Sequence, residues 1–324
     1  MTTFVPPDIG WHSIAAVERD TGLAKDTLRV WERRYGFPAP RRDAQGERLY
    51  SDEDLVRLRH IRRLIDGGHR PGKVVALPMP ALAELGTAHA ARRIQTPGPS
   101  APDLARQAEW LGLLQRQDAQ GLRQAIHRLV NERGLARTVT EVVAPMTAQV
   151  GQAWLEGGLA VYEEHLYTEV VQQALRHAIA QIAGARPAHP PRVLLTTLPG
   201  EVHGLGLLMA ECFFALESCQ TLPLGVQTPL IAIARAVEAS GADVVALSFS
   251  AMQNPREARA GLEQLRDRLP PQTEIWAGGQ CSALRRAPVV PGGVRPWWPL
   301  PRLQDIPLSV ARWRAEAAQR TVAP

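Results

Sequence analysis

The sequence predicts a multidomain chain in three parts: a small all-α module carrying a basic hairpin, a four-helix bundle, and an α/β domain with a doubly wound, Rossmann-like sheet. Three observations predict it. Charge is concentrated in roughly the first 70 residues, a helical period then runs from Asp103 to about Ala183, and beyond the Pro-rich segment Gly184–Pro191 short apolar runs alternate with helices. A length of 324 residues suits two or three domains. The boundaries expected are 8–77 for the first module, 87–102 for a linker, 103–185 for the bundle and 190–320 for the α/β domain.

In the first module IAAVERD reads as a helix, Thr21-Gly22-Leu23 as a turn, and Lys25–Arg34 as a second helix carrying Arg29, Arg33 and Arg34. An extended stretch from Tyr35 to Arg42 follows, and Gly46-Glu47-Arg48-Leu49-Tyr50 closes a basic hairpin. Ser51 is placed to cap the next helix, with Asp52, Glu53 and Asp54 near its positive end. Leu28 and Trp31 are expected in the core, and Glu32 beside a neighbouring arginine. Helix, turn, helix and basic hairpin is the layout of a winged helix-turn-helix, whose second helix enters the major groove.

In the bundle, apolar residues recur every three or four positions, from Leu111, Leu114 and Leu122 to Val143, Met146 and Val150. Breaks near Gln117–Gln120, Arg133–Gly134 and Gly157–Gly158 divide it into four helices. In the last part, Arg192–Leu198 and Asp243–Ser248 read as strands, Glu274–Ala277 and Val294–Trp298 as weaker ones. Helices are expected at Leu205–Leu216, Leu230–Ser240, Arg256–Arg268 and Arg302–Gln319. Such an open parallel sheet binds ligands at the carboxyl ends of its strands. Trp297-Trp298 should pack within or beside the last strand, with a dimer contact as the alternative.

No run approaches about 18 apolar residues, which excludes a spanning helix. The first residues, MTTFVPPDIGWHS, lack a secretory pattern, and a cytoplasmic protein without a membrane partner is expected. Cys212, Cys219 and Cys281 are odd in number and lack metal spacing, which argues against disulfides and zinc. Cys212 and Cys219, in one helix-like apolar run, read as core thiols. Of 37 basic residues only Lys25 and Lys73 are lysines, and the net charge is +5. That bias fits a GC-rich genome or a phosphate-binding surface, and composition does not separate the two.

The run Thr27-Leu28-Arg29-x-Trp31-Glu32-Arg33-Arg34-Tyr35-Gly36, followed by Gly46-x-Arg48-x-Tyr50-Ser51, resembles the MerR family of transcription regulators. The resemblance implies a site for double-stranded operator DNA at Arg29, Arg33, Arg34, Tyr35, Arg41, Arg42, Arg48 and Tyr50. No cysteine precedes position 212, so sensing through cysteine-bound metal in the manner of some MerR relatives is excluded.

After the first strand of the last part stands Glu201-Val202-His203-Gly204-Leu205-Gly206, then Ser248-Phe249-Ser250 and Gly278-Gly279, each at a strand's carboxyl end. The spacing resembles the cobalamin-binding domain of methionine synthase and its relatives, with Glu201 where aspartate is usual and Ser250 where leucine is usual. That resemblance implies His203 as lower axial ligand to cobalt, Glu201 orienting it, and Gly206, Ser248, Ser250, Gly278 and Gly279 lining a slot for the cofactor tail. The glycines are expected to let a bulky ligand come close. In the bundle, Trp154 followed after nine residues by Glu164-His165 resembles the light-sensing cobalamin regulators of the CarH/LitR type. By that resemblance Trp154 packs on the 5′-deoxyadenosyl group of adenosylcobalamin, and Glu164 and His165 contact its polar atoms. Leu155 stands where well-studied members carry a histidine that ligates cobalt after illumination.

Together these resemblances imply no enzyme. They imply a repressor that holds operator DNA as a homo-oligomer (dimer or tetramer) in darkness and releases it in light. A light-independent or cobalamin-independent regulator is the alternative within regulation, and a corrinoid-carrying methyltransferase subunit the alternative outside it.

Overall fold

The computed structural model describes residues 10–66, 69–82, 85, 101–155, 157–185, 187–285 and 296–322. Most of the linker expected over 87–102 lies outside them. The chain divides into two compact units, Met1–Gly98 with Leu155–Gly158, and Pro99–Trp154 with Leu159–Pro324.

In the first unit, strand β1 (Trp11–Ser13) leads into helix α1 (Ile14–Thr21), capped by Ser13 Oγ, which accepts from the Ala16 N–H at 3.3 Å. Helix α2 (Lys25–Tyr35) ends at Gly36, whose φ of 68° is the left-handed conformation that stops a helix. The hairpin is β2 (Arg41–Arg42) with β3 (Arg48–Ser51), and the sheet order β1-β3-β2 adds a third strand the sequence reading did not contain. Ser51 caps α3 (Asp52–Asp66) as expected: its Oγ accepts from the Asp54 N–H at 3.1 Å, and Asp54 Oδ2 accepts from the Ser51 N–H at 3.1 Å. A short α4 (Pro71–Val74) follows. Leu28 and Trp31 join Val17, Leu58 and Ile61 in the core. Arg59 of α3 donates to both carboxylate oxygens of Asp20 on α1, at 2.7 and 2.6 Å, which fixes the two helices in register.

The second unit begins with four helical stretches: α5 (Ala101–Gln115), α6 (Ala119–Arg133), a stretch made of α7 (Leu135–Thr138), a π turn (Val139–Val143) and α8 (Ala144–Leu155), and α9 (Val161–Ala185). The breaks fall where the sequence placed them. Asp118 caps α6 by accepting from the Gly121 N–H at 2.8 Å. The π turn is new. Its last carbonyl, Val143 O, accepts from Thr147 Oγ1 at 2.8 Å and from the buried Tyr167 hydroxyl at 3.2 Å, which ties α8 to α9.

The sheet is wholly parallel: β4 (His189–Thr196), β5 (Cys219–Gly225), β6 (Val244–Phe249), β7 (Glu274–Gly279) and β8 (Trp298–Leu300), in the order β5-β4-β6-β7-β8. Helices α10 (Leu205–Leu216), α11 (Leu230–Ser240), α12 (Pro255–Arg266) and α13 (Ile306–Val322) cover it. One core joins the bundle to one face of the sheet, through Leu175 and Val171 of α9 and Phe213 and Phe214 of α10. A second lies under α11 and α12.

Two expectations are corrected. Cys219 does not share a helix with Cys212 but opens strand β5, which the sequence reading lacked; both thiols are buried, as expected of core cysteines. The last strand is Trp298–Leu300 rather than Val294–Trp298, and residues 294 and 295 lie outside the described ones. Trp297 is fully buried, while Trp298 opens β8 with the Arg312 guanidinium 3.8 Å over its ring, so the pair packs at the last strand. Among the described residues no helix is long and apolar enough to cross a membrane.

Candidate functional sites

The sheet order reverses at β4 and β6: the chain leaves β4 for β5 on one side and returns to β6 on the other. Loops diverge at such a point and leave a crevice at the carboxyl edge. Glu201 and His203 follow β4, and Ser250 follows β6. The Glu201 side chain is 1% exposed and accepts three hydrogen bonds. The His203 ring meets its Oε1 at 2.6 Å through Nδ1, the His203 N–H reaches the same oxygen at 3.0 Å, and the Ser250 N–H reaches Oε2 at 2.7 Å. Burial alone would raise the carboxyl pKa. The bonds from His203 and Ser250 outweigh it and hold the group below its ordinary value, so it stays a carboxylate.

A carboxylate on Nδ1 assigns the ring proton to that nitrogen, and metal ligation through a ring so held uses Nε2. The His203 side chain is 53% exposed. Beside it Val202 and Val226 expose large apolar side chains. A half-exposed imidazole with a fixed tautomer among exposed apolar groups has the chemistry to hold the cobalt of a corrinoid. The extra methylene of Glu201 is used to span from β4 to the Ser250 amide. Ser250 serves through its backbone N–H, which leucine would supply equally, while its Oγ accepts from the Met252 N–H at 3.2 Å.

The glycines also have a reason within the chain's own packing. A Cβ on Gly206 would lie 2.8 Å from Ser248 Oγ, and one on Gly278 would lie 3.0 Å from the Leu300 carbonyl oxygen. On Gly279, at φ 113°, it would overlap the Phe249 carbonyl oxygen. The chain's own packing demands Gly279, leaves little room at Gly278, and at Gly206 presses only on a side-chain hydroxyl. Sequence reasoning also missed Thr197, fully buried, whose Oγ1 donates to Glu201 O at 2.7 Å and accepts from the Gln227 N–H at 2.8 Å. It ties the His203 loop to the Val226 loop. A Thr-Thr pair closing an apolar strand was the available signal.

On the bundle, Trp154 lies at the end of α8, part-buried against the core, and Glu164 and His165 lie in the first turns of α9. Glu164 Oε2 meets His165 Nδ1 at 2.7 Å and its Oε1 accepts from Thr168 Oγ1 at 2.8 Å. The His165 side chain is 73% exposed.

In the first unit, Arg29, Arg33, Arg34, Arg41 and Arg42 are exposed on α2 and the hairpin. Arg29 pairs with Asp26 at 3.0 Å, the Arg41 guanidinium stacks 3.8 Å over Trp11, and Arg42 donates to Gly46 O at 2.7 Å. One residue of the expected DNA surface is placed otherwise, and a second is engaged within the unit. Tyr50 is fully buried in the core, where its bulk fills the space under the hairpin, so it does not face DNA. Arg48 is part-buried and donates through Nε to Glu32 at 2.7 Å, so it clamps the hairpin to α2. That bond also supplies the arginine partner expected for Glu32. Tyr35 is half-buried at the core's edge, with the Arg34 guanidinium 5.4 Å from its ring centre.

Comparison with known proteins agrees with this division. Residues 12–77 match the family model for the MerR HTH family regulatory protein, and residues 107–179, within the helical bundle, match that for a B12 binding domain. The chain is 30% identical over 270 residues to the HTH-type transcriptional repressor CarH of Myxococcus xanthus, covering 82% of this chain and 88% of that one. The chain belongs to the CarH family of MerR-type regulators. CarA, a second repressor of this CarH family from the same organism, is 30% identical over 263 residues, covering 77% of this chain and 80% of CarA. Among solved structures, the monomethylamine corrinoid protein of Methanosarcina barkeri aligns with a TM-score of 0.47 and 13% identity, covering 63% of this chain and 96% of that one. As a member of the CarH family the chain is a transcription regulator with a DNA-binding and a B12-binding domain, not an enzyme.

Proposed function

We propose that this regulator is a light-responsive repressor that uses adenosylcobalamin as its sensor group and binds operator DNA as a homo-oligomer in darkness. The observation that carries the reading is the buried Glu201 carboxylate, fixed by three donors and holding the half-exposed His203 ring at the sheet's switch point. In this reading His203 Nε2 would hold cobalt, with Glu201 setting the ring's direction and raising its basicity. Trp154, Glu164 and His165 would contact the cofactor from the bundle. When bound, adenosylcobalamin supplies a cobalt–carbon bond that visible light breaks. The part of the chain that would answer is the α8–α9 hairpin, whose Trp154 end would lose a packing partner. Ligand that favours one assembly state shifts the population toward it, and several DNA-binding modules in one assembly act by avidity.

Because Leu155 cannot ligate a metal, we propose an illuminated state without a stable bis-histidine adduct. The test is an absorption spectrum of protein loaded with adenosylcobalamin, recorded in darkness and after illumination, alongside its size in solution. A light-dependent spectrum and a smaller particle after illumination support the reading. Stable loading with neither change favours the light-independent sensor, a reading to which Leu155 also lends support.

A further inference from the structure

We infer that Val30 reads the C5-methyl group of a thymine in the operator's major groove. The inference rests on the DNA-binding role of α2. On that helix Leu28 and Trp31 are buried, while Asp26, Arg29, Val30 and Arg33 are exposed. Positions 26, 30 and 33 are spaced by four and three residues, so they share one stripe, and Arg29 adjoins it. The stripe is the helix's outward face, the side opposite its core contacts.

Val30 is out of place on that face by every criterion except contact. At 43% exposure it is the only large apolar side chain counted as exposed among the described residues of the N-terminal unit. A β-branched residue is a poorer helix former than alanine, leucine or arginine, so local helix stability does not call for it. It meets none of the unit's core. Its neighbours Arg29 and Arg33 carry the charge that draws a phosphate-rich ligand. Arg29 is held by Asp26 in a surface pair at 3.0 Å, weak enough to give way to a phosphate or a guanine edge. Within a major groove the one apolar feature on a base edge is the thymine methyl, and small apolar side chains recognise it. A valine methyl pair between two arginines therefore supplies discrimination, while the arginines supply charge attraction that is largely independent of sequence.

The test uses the full-length protein and a duplex selected by it from random DNA. Each thymine of that duplex is replaced singly by deoxyuridine, which removes only the methyl. Binding is measured for the natural chain, for Val30→Ala and for Val30→Thr. Burying one methyl in a contact is worth about fourfold in affinity. The natural chain is expected to lose about that factor at one thymine per half-site. Val30→Ala, an exposed change that favours the helix, should bind the thymine duplex about fourfold more weakly and be blind to that methyl. Val30→Thr, keeping one methyl, should fall between. Equal sensitivity of the natural chain and Val30→Ala to the same deoxyuridine overturns the inference, as does no methyl-sensitive position at all. A uniform loss in Val30→Ala on unrelated DNA also overturns it. Failure to select any duplex would instead remove the DNA-binding role itself, and the inference with it.

Discussion

Two glutamate–histidine pairs, one at the sheet edge and one on the bundle hairpin, share nearly the same bond and sit in opposite surroundings. Glu201 meets His203 Nδ1 at 2.6 Å and Glu164 meets His165 Nδ1 at 2.7 Å. Yet the Glu201 side chain is 1% exposed and takes two backbone N–H groups as well, whereas Glu164 is 31% exposed and takes one flexible hydroxyl, from Thr168. A buried carboxylate with three donors is a rigid part of the fold, so the His203 ring keeps its direction whether or not anything is bound. An exposed pair contributes about 0–1 kcal/mol and can rearrange when its surroundings change. The first suits a permanent ligand and the second a contact that must come and go.

The sharpest way to break this contrast is Glu201→Ala. It leaves the His203 and Ser250 N–H groups without their acceptor, at a cost of about 1–3 kcal/mol for such a loss. Cobalamin affinity is expected to fall roughly 10–100-fold. A denaturant melt of the apoprotein and an absorbance titration read the two effects separately, and unchanged affinity would remove Glu201 from the site. The mirror change, Glu164→Gln, should leave apoprotein stability within about 0.5 kcal/mol, the range of ordinary surface substitutions. If its melt moved as far as that of Glu201→Ala, the two pairs would not differ in kind.

The arginines of the first unit divide in the same way. Arg41→Ala removes an exposed cation and should lower the slope of log affinity against log salt by about 1 on any DNA. Arg48→Ala strands the half-buried Glu32 and should lower the melting temperature more than it alters that slope. Equal slopes and opposite melts would reverse the assignment.

The smallest effect is one of pH. Burial raises the Tyr50 phenol to about 12, against the partial opposing effect of Arg48. Its unfolded value is about 10, so the folded chain holds that proton more tightly. The resulting stability is complete below about pH 10 and is lost as pH rises from there toward 12. An ultraviolet titration should find this tyrosine among the last to ionise, with melting temperature falling over the same range.

How legible all this was depended on whether local pattern or tertiary packing decides. Caps and breaks are local: Ser51, the breaks near Gln117–Gln120 and Arg133–Gly134, and the turn at Gly22 could be read directly from the sequence. The motif from Glu201 to Gly206 was equally plain, because its residues stand together. Strand β5 was not, since it lies at the sheet's edge, where Pro223 is tolerated and alternation is weak. Tyr50 resembled a DNA contact because motif position says nothing about which way a strand faces. The hydrogen bond from Ser250 to Glu201 spans 49 residues, and no local pattern announces it. The tight approach at Gly278 and Gly279 was not legible, because the carbonyl oxygens they face, of Leu300 and Phe249, come from neighbouring strands.

The π turn at Val139–Val143 has a consequence for comparing this chain with any relative. A turn of that kind holds one residue more than an α-helical turn, and each residue advances a helix by about 100°. A helical wheel drawn straight from Leu135 therefore assigns Trp154 to a face about 100° away from the one it occupies. A relative one residue shorter here would keep Trp154 on the same side through an unbroken helix. The surplus residue thus acts as a phase adjuster, setting the orientation of the hairpin's Trp154 end independently of the half that is packed below it.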